Sequence, residues 1–155
     1  MIIMAITYKL KFYNAENATM APKFRLYPNI DNPRELYWAL CHCWSRESCA
    51  PRLRDQWSEE ENITIGQCSI TAFLVQDIFG GEVYGIPMDD GGYHCYNVVD
   101  GVIFDLTSEQ FKGEKELNYD KKNPQDRYEH FKDYTKFERY LLLTQALMNY
   151  LLLKK

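Results

Sequence analysis

Three residues near the middle of the chain, Cys68, His94 and Asp105, are of types that together can carry out nucleophilic chemistry on a carbonyl group. Cys68 opens the apolar segment CSITAFLVQDIF, which Gly80-Gly81 ends, and this pattern predicts a helix that begins at the cysteine. The amino end of a helix supplies partial positive charge and free amide groups, which favour a thiolate. We therefore predict that Cys68 is a nucleophile, with its own amide and the Gln67 side chain as candidate donors to an oxyanion.

A predicted hairpin brings the histidine and the aspartate to one face of a sheet. Asp100-Gly101 separates two apolar runs and predicts a two-residue β-turn. The register continues through three predicted pairs: Val99 with Val102, Tyr96 with Asp105, and His94 with Thr107. In this register His94 and Asp105 are diagonal neighbours, at roughly 5.5–8 Å between backbones.

A carboxylate at Asp105 would orient the His94 ring and leave its other nitrogen free to take the proton of Cys68. Asn97 points to the opposite face in the predicted register, so it ranks below Asp105 as the orienting residue unless a bulge reverses the faces. The ordinary alternatives are a cysteine in an apolar core and a histidine bonded within a sheet. The joint placement of the three residues favours a site over these alternatives.

Composition argues against several other classes. The formal net charge is −4 with a pI near 5.4, and basic residues are scattered, which disfavours nucleic-acid binding. No signal peptide or membrane span is predicted, and five cysteines are an odd number, so we expect reduced thiols and a cytoplasmic protein.

Metal binding is not predicted at either candidate cluster. The residues Cys41, His42, Cys43 and Cys49 lack a second ligand pair with zinc spacing, and Asp89-Asp90 lacks the spaced ligands of a calcium loop. We therefore expect no metal and no cofactor. His130 lies in a charged stretch and is predicted to be a solvated surface group.

The remaining elements follow from caps and periodicity. A helix is predicted from Asn32-Pro33 through Trp44, and a last helix after a Thr135 cap. The polar stretches 46–62 and 112–134 are predicted to run over the surface. Residues 1–20 are assigned to an N-terminal extension of uncertain order, and residues 21–155 to a single domain.

At GQCSITA, QDIFGGEV, YHCYN and FDLTSEQF the chain resembles the YunG-like family of small bacterial proteins, which look like members of the papain-like or transglutaminase-like cysteine superfamily. The resemblance covers most of residues 32–149. It implies an α+β fold with a papain-like core, in which a helix bearing the cysteine packs on an antiparallel sheet. It also implies Cys68, His94 and Asp105 as nucleophile, base and orienting acid. Further motif positions of unassigned role, taken here as oxyanion or substrate-binding candidates, are Gln67, Asn97 and Gln110.

Three functions stay open from the sequence. The first is a cysteine hydrolase or acyltransferase acting on a peptide, amide or ester substrate through a thioacyl intermediate, with the 46–62 loop and the 87–92 turn beside an aromatic-rich cleft. The second is a non-catalytic binding or interaction module with the same fold. The third is a thiol redox sensor in which Cys95 is the resolving partner of Cys68.

Overall fold

The computed structural model describes residues 9–153, which form a mixed α+β fold around one antiparallel sheet. The regular elements are helix α1 (Pro33–Leu40), helix α2 (Cys68–Phe79), strand β1 (Glu82–Pro87), strand β2 (Tyr93–Val99), strand β3 (Val102–Phe104), strand β4 (Pro124–Gln125), helix α3 (Arg127–His130) and helix α4 (Tyr134–Leu153). Short 3-10 helices lie at Ala15–Asn17, Pro51–Gln56 and Ser108–Phe111. Across this described range, no helix is both long and apolar enough to cross a bilayer.

The sheet has the order β3-β2-β1-β4, and its central hairpin forms as predicted. Asp100 and Gly101 both have positive φ, 50° and 78°, which is the conformation of a tight two-residue turn, and Val99 pairs with Val102. The ladder ends one step before the predicted pair of Tyr96 with Asp105. The cause is a competing partner, because the Asp105 amide donates to the carbonyl of Tyr13 at 3.3 Å.

Helix α1 begins where its cap predicts but is shorter than expected. The Asn32 side chain accepts a hydrogen bond from the Glu35 amide at 3.0 Å, and Pro33 occupies the first turn. The helix ends at Leu40 instead of continuing through Trp44, because the chain turns there and the Trp44 indole donates to Thr71 Oγ1 of helix α2 at 2.9 Å.

Helix α4 starts at Tyr134, so the prediction that Thr135 caps it is wrong. Asp133 is the capping residue, since its carboxylate accepts hydrogen bonds from both the amide (3.0 Å) and the hydroxyl (2.7 Å) of Thr135. The apolar face of α4 packs against helices α1 and α2. The two longest helices thereby enclose the main core between them.

The described part of the N-terminal extension packs on this core. Phe12, Ala15 and Ala18 are buried, and the Phe12 ring lies 5.0 Å from that of Tyr37. Residues 1–8 of the predicted extension lie outside the described residues.

Parts of the stretch 112–134 pack against the sheet and against helix α2 in addition to running over the surface. Leu117 and Tyr119 cover the sheet face opposite helix α2. Further on, helix α3 is held to α2 by Arg127, whose Nε and Nη2 donate to the Asp77 carboxylate at 2.9 and 3.1 Å. This pairing fixes the position of His130 at the end of α3.

Candidate functional site

Cys68 is the first residue of helix α2, at the point where the helix meets strand β2. It is half-buried, whereas the other four cysteines are buried, and all five thiols are free. The Cys68 thiol can donate to the carbonyl oxygen of Tyr93, which lies 3.8 Å from its sulfur. His94 and Cys95 are the neighbours that act electrostatically on this thiol. The thiol that is open to the solvent is therefore the one beside the histidine.

Gly66 permits the sharp entry of the chain into helix α2. Its φ is +72°, and a Cβ at this position would lie 2.5 Å from Cys49 Sγ and 2.8 Å from the amide of Ala50. The carbonyl of Gly66 accepts hydrogen bonds from Ala50 and from the Arg139 guanidinium, at 2.9 and 3.2 Å. A glycine is therefore required to join the 46–50 segment to the start of the helix.

His94 and Asp105 form a buried pair. His94 Nε2 lies 2.6 Å from Asp105 Oδ2, and both side chains are 1% exposed. The carboxylate also accepts hydrogen bonds from the Thr107 amide (3.1 Å), the Thr107 hydroxyl (3.3 Å) and the Tyr119 hydroxyl (2.8 Å). These donors satisfy the acceptor oxygens of a carboxylate that is removed from water.

Electrostatics favour a charged form of the Cys68–His94 pair. Burial by itself would lower the pKa of His94, but the Asp105 carboxylate and the Cys68 thiolate outweigh it and raise that pKa to about 10. The pKa of Cys68 is lowered well below its ordinary value, first by a hydrogen bond from Cys95 and then, against the cost of burial, by the hydrogen bond and charge of His94. The same contact and burial raise the pKa of Cys95, so that Cys95 stays a thiol and acts as donor.

Gln110 contacts the other nitrogen of the histidine ring. Its amide nitrogen lies 2.5 Å from His94 Nδ1, while its amide oxygen accepts a hydrogen bond from the Gly66 amide at 3.3 Å. Since the Gly66 amide fixes which end of the Gln110 amide faces the ring, Gln110 donates and Nδ1 accepts. Neutral His94 therefore keeps its proton on Nε2, against Asp105, and its Nδ1 is occupied by Gln110. Charged His94 has a proton on both nitrogens, so in that form Gln110 cannot donate to Nδ1.

The side chains of two other candidate residues, Gln67 and Asn97, form hydrogen bonds away from the Cys68–His94 region. The Gln67 amide, 0% exposed, donates to the Ser45 carbonyl at 2.9 Å and accepts from the Ser48 hydroxyl at 2.8 Å. Asn97 faces helix α2 and donates to the Ala72 carbonyl at 2.8 Å. Both side chains hold neighbouring backbone in place, so neither lies where it could bind an oxyanion. Cys68, His94, Asp105 and Gln110 are the predicted residues that the structure brings together.

An open cleft of about 990 Å³ lies over Cys68 and His94. It is lined by both segments that were predicted to flank it, the 46–62 loop and the 87–92 turn, and an ion pair of 2.6 Å between Arg52 and Asp90 joins them. The expectation of an aromatic-rich wall is wrong, because within the described lining Tyr93 and Phe111 supply the phenol and phenyl rings and the remainder is largely polar or charged.

Sequence patterns missed two contributors to this region. Tyr119 reaches Asp105 from the hydrophilic 112–134 stretch, where the apolar Leu117-x-Tyr119 spacing was the signal of a strand-like face. His130 is not the solvated group that was predicted. It is half-buried with its ring 5.0 Å from that of Phe73, and it lines the cleft.

Comparisons with known proteins agree with the motifs. The model of the YunG protein family matches residues 32–152. Over 109 residues, 70% of this chain, the sequence is 38% identical to the uncharacterized protein YunG of Bacillus subtilis strain 168, and the match covers 85% of that protein. No solved structure matches the chain.

Proposed function

We propose that this chain, which belongs to the YunG family, is a cysteine hydrolase or acyltransferase of the papain-like type that acts on an amide, peptide or ester bond. One observation carries the proposal: the ring of His94 is held by Asp105 at Nε2, at 2.6 Å, and His94 and the half-buried Cys68 line the same open cleft. A nucleophile, a base and an orienting carboxylate in contact are the arrangement that covalent acyl transfer requires.

In the proposed reaction the Cys68 thiolate attacks the carbonyl carbon. An S–C bond forms, and the electron pair of the C=O bond moves to the oxygen. When the tetrahedral intermediate collapses, the bond to the leaving group breaks and the imidazolium of His94 protonates the departing amine or alkoxide. His94 then takes a proton from water or an acceptor amine, which attacks the thioester, and the C–S bond breaks to regenerate the thiolate.

The oxyanion would be stabilised at the start of helix α2. The first amides of a helix have no partners within the helix, and the Cys68 amide is the nearest of them to the reacting carbon. The Gln110 amide is a second candidate donor, because it lies beside His94 Nδ1 and lines the cleft. A papain-like core is part of the proposal, supported by a cysteine-bearing helix that packs on strand β2 of an antiparallel sheet.

The test is direct detection of the thioacyl intermediate. The wild type and the variants Cys68→Ala and His94→Ala would each be mixed with a panel of activated acyl esters and short peptide thioesters, quenched in acid and weighed by mass spectrometry. We expect an acyl adduct on Cys68 in the wild type that decays with time, no adduct in Cys68→Ala, and a much slower adduct in His94→Ala. Adducts that form equally fast in the wild type and in His94→Ala would refute the proposal.

A non-catalytic binding module is the alternative, and one contact favours it. Gln110 donates to His94 Nδ1, which occupies the nitrogen that a base would use. In a binding module this hydrogen bond would persist and Cys68 would react as an ordinary thiol. Iodoacetamide labelling at acidic pH separates the two, because only an activated pair keeps a thiolate well below the free-thiol pKa of about 8.5.

A further inference from the structure

A buried arginine, Arg139, lines the cleft beside Cys68, and its Nε has no hydrogen-bond partner among the described residues. Arg139 is 7% exposed, and its Nη1 donates to the carbonyls of Ser48 (3.0 Å) and Gly66 (3.2 Å). Its Nε is buried, and no described residue accepts a hydrogen bond from it. Burying a guanidinium without a counter-ion costs free energy. An anionic ligand bound beside Arg139 would reduce this cost.

Two further side chains lie at the same end of the cleft. Lys136, one turn before Arg139 on helix α4, is half-buried, and within residues 9–153 no carboxylate lies at ion-pair distance from it. His130 Nε2 is buried and likewise lacks a hydrogen-bond partner in the described part of the chain. We call His130, Lys136 and Arg139 the cationic pocket.

The members of the cationic pocket act on one another and on the thiol. The charges of Lys136 and Arg139 both bear on His130, and the charge of Cys68 bears on His130 and on Arg139. Burial, aided by the two cations, lowers the pKa of His130 to about 4, so at neutral pH His130 is a neutral hydrogen-bonding group. The pocket therefore carries two positive charges near the candidate nucleophile.

The acidic residue whose charge acts on this pocket, Asp133, already binds Thr135. Asp133 influences both His130 and Arg139, but it is exposed and its carboxylate is committed to the cap of helix α4 through Thr135. The cleft lining also holds Glu61, Asp89, Asp90 and Glu114, but Asp90 pairs with Arg52 and Asp89 with Lys115. Among the described residues no carboxylate forms an ion pair with Lys136 or Arg139. A carboxylate suits this site, since arginine and lysine both bind it and His130 offers a further polar contact.

We propose that the cationic pocket binds a carboxylate group of the substrate, a few bonds away from the carbonyl that Cys68 attacks. The substrate class would then be amides, peptides or esters that carry an acidic side chain or a free terminal carboxylate next to the scissile bond. The statement about substrate rests on the proposed function, whereas the existence of the anion site does not.

Two near-isosteric alkylating reagents test the anion site without any turnover. Iodoacetate carries a carboxylate and iodoacetamide a neutral amide, and both need the same Cys68 thiolate. The ratio of their rate constants at Cys68 therefore reports attraction of the anion separately from activation of the thiol. The ratio would be measured by peptide mass spectrometry at neutral pH and low salt in the wild type, in Lys136→Gln, and in the control Lys132→Gln.

Lys132 is a matched control because it is exposed, pairs with Glu129 at 2.8 Å and lies outside the cleft lining. Removing one cation several ångströms from the thiol should lower the iodoacetate-to-iodoacetamide ratio by about 3- to 10-fold in Lys136→Gln, with no change in Lys132→Gln. Equal ratios in the wild type and Lys136→Gln would overturn the proposal.

A second measurement does not use the thiol, so it decides the question even where Cys68 labels poorly. Succinate should raise the Tm of the wild type and of Lys132→Gln in a concentration-dependent manner, and much less that of Lys136→Gln. The same shift in all three proteins, or none in the wild type, would refute the anion site. A protein that passes these tests but forms no acyl adduct would retain the anion site and lose the proposed function.

Discussion

Replacing Asp105 with asparagine tests the central pair with little change in shape. The Thr107 amide and hydroxyl both donate to Oδ1 of Asp105, so the amide oxygen of the new Asn side chain is expected at that position. Its NH₂ group then takes the place of Oδ2, facing His94 Nε2 at 2.6 Å and the Tyr119 hydroxyl at 2.8 Å. It would donate to Nε2, while Gln110 already donates to Nδ1, so neutral His94 would have to give up one of these hydrogen bonds to place its proton. The proton would no longer be held on Nε2, which is the tautomer that the carboxylate fixes.

The expected fall in the pKa of His94 is large because the His94–Asp105 pair is buried. Asp105 is the largest influence that raises the pKa of His94, which stands at about 10 against an ordinary 6.5. Without the carboxylate, burial should bring this pKa to 6.5 or lower. At about 1.4 kcal/mol per pH unit, the imidazolium then loses roughly 5 kcal/mol of stabilisation. Without an imidazolium, the pKa of Cys68 should rise to the free-thiol value of about 8.5 or above.

The assay is the pH dependence of iodoacetamide labelling at Cys68. At pH 6.5 a thiol with a pKa near 8.5 is about 1% ionised, so labelling of Asp105→Asn should be slower than that of the wild type by tens of fold to about 100-fold. Asp89→Asn is the charge-matched control, because Asp89 lies at the cleft rim, exposed and 3.8 Å from Lys115. A folded Asp105→Asn protein that labels with the wild-type pH midpoint would refute the reasoning.

Further predictions concern the support around the pair. Gly66→Ala should lower the free energy of unfolding by roughly 1–3 kcal/mol more than Gly113→Ala in urea titrations, because both have positive φ but only the first Cβ meets other atoms; equal losses would contradict the contact argument. Tyr119→Phe should cost about 1.5–3 kcal/mol of unfolding free energy, since it removes a hydrogen bond to a buried carboxylate, and a loss below about 0.5 kcal/mol in the same titration would contradict that contact. Cys95→Ala should move the labelling midpoint of Cys68 to higher pH, because the donor that lowers its pKa is gone; an unchanged midpoint would show that this hydrogen bond is not formed. Hydrogen peroxide should oxidise Cys68 to a sulfenic acid that condenses with the Cys95 thiol and releases water, so peptide mapping should find both thiols lost together in a disulfide, and a lasting sulfenic acid would exclude Cys95 as the resolving thiol.

Local patterns were sufficient for the elements that carry the site. Asp100-Gly101 requires two positive φ angles, and those two residue types tolerate them, so both the turn and the register beside it could be predicted. Gly80-Gly81 likewise marked the end of helix α2 at Phe79. Membership of the YunG family, predicted from four short motifs, is confirmed by the family match over residues 32–152.

Long-range competition explains what the sequence could not predict. The contact of His94 with Asp105 forms, but the ladder that was expected to continue to Asp105 stops at Phe104, because Tyr13 pairs with Asp105 from far away in the chain. Nothing in the local pattern of either segment specifies that pairing. The same applies to Gln67, whose side chain is taken by a turn about twenty residues earlier.

In helix α4, the apolar periodicity of the sequence did not identify Arg139 as a candidate site residue. The buried face of the helix includes Tyr140, Leu143 and Leu147. Arg139 is adjacent to Tyr140, and both are buried. Apolar periodicity considers only hydrophobic residues, so it does not identify a buried charged residue at this position. An arginine next to a core position of an apolar helix was the signal that could have pointed to the cleft.

The buried His94–Asp105 pair is hard to explain by stability alone. Two apolar side chains of similar volume would often stabilise a domain as much as a buried ion pair does, because the charges lose their hydration. Here the main core between helices α1, α2 and α4 is already extensive. Even so, three donors, the Thr107 amide, the Thr107 hydroxyl and the Tyr119 hydroxyl, bond to one buried carboxylate. These hydrogen bonds orient the His94 ring, and His94 in turn lowers the pKa of the Cys68 thiol. Such an arrangement is what the proposed role of Cys68 as a nucleophile requires, and the labelling experiments measure that reactivity.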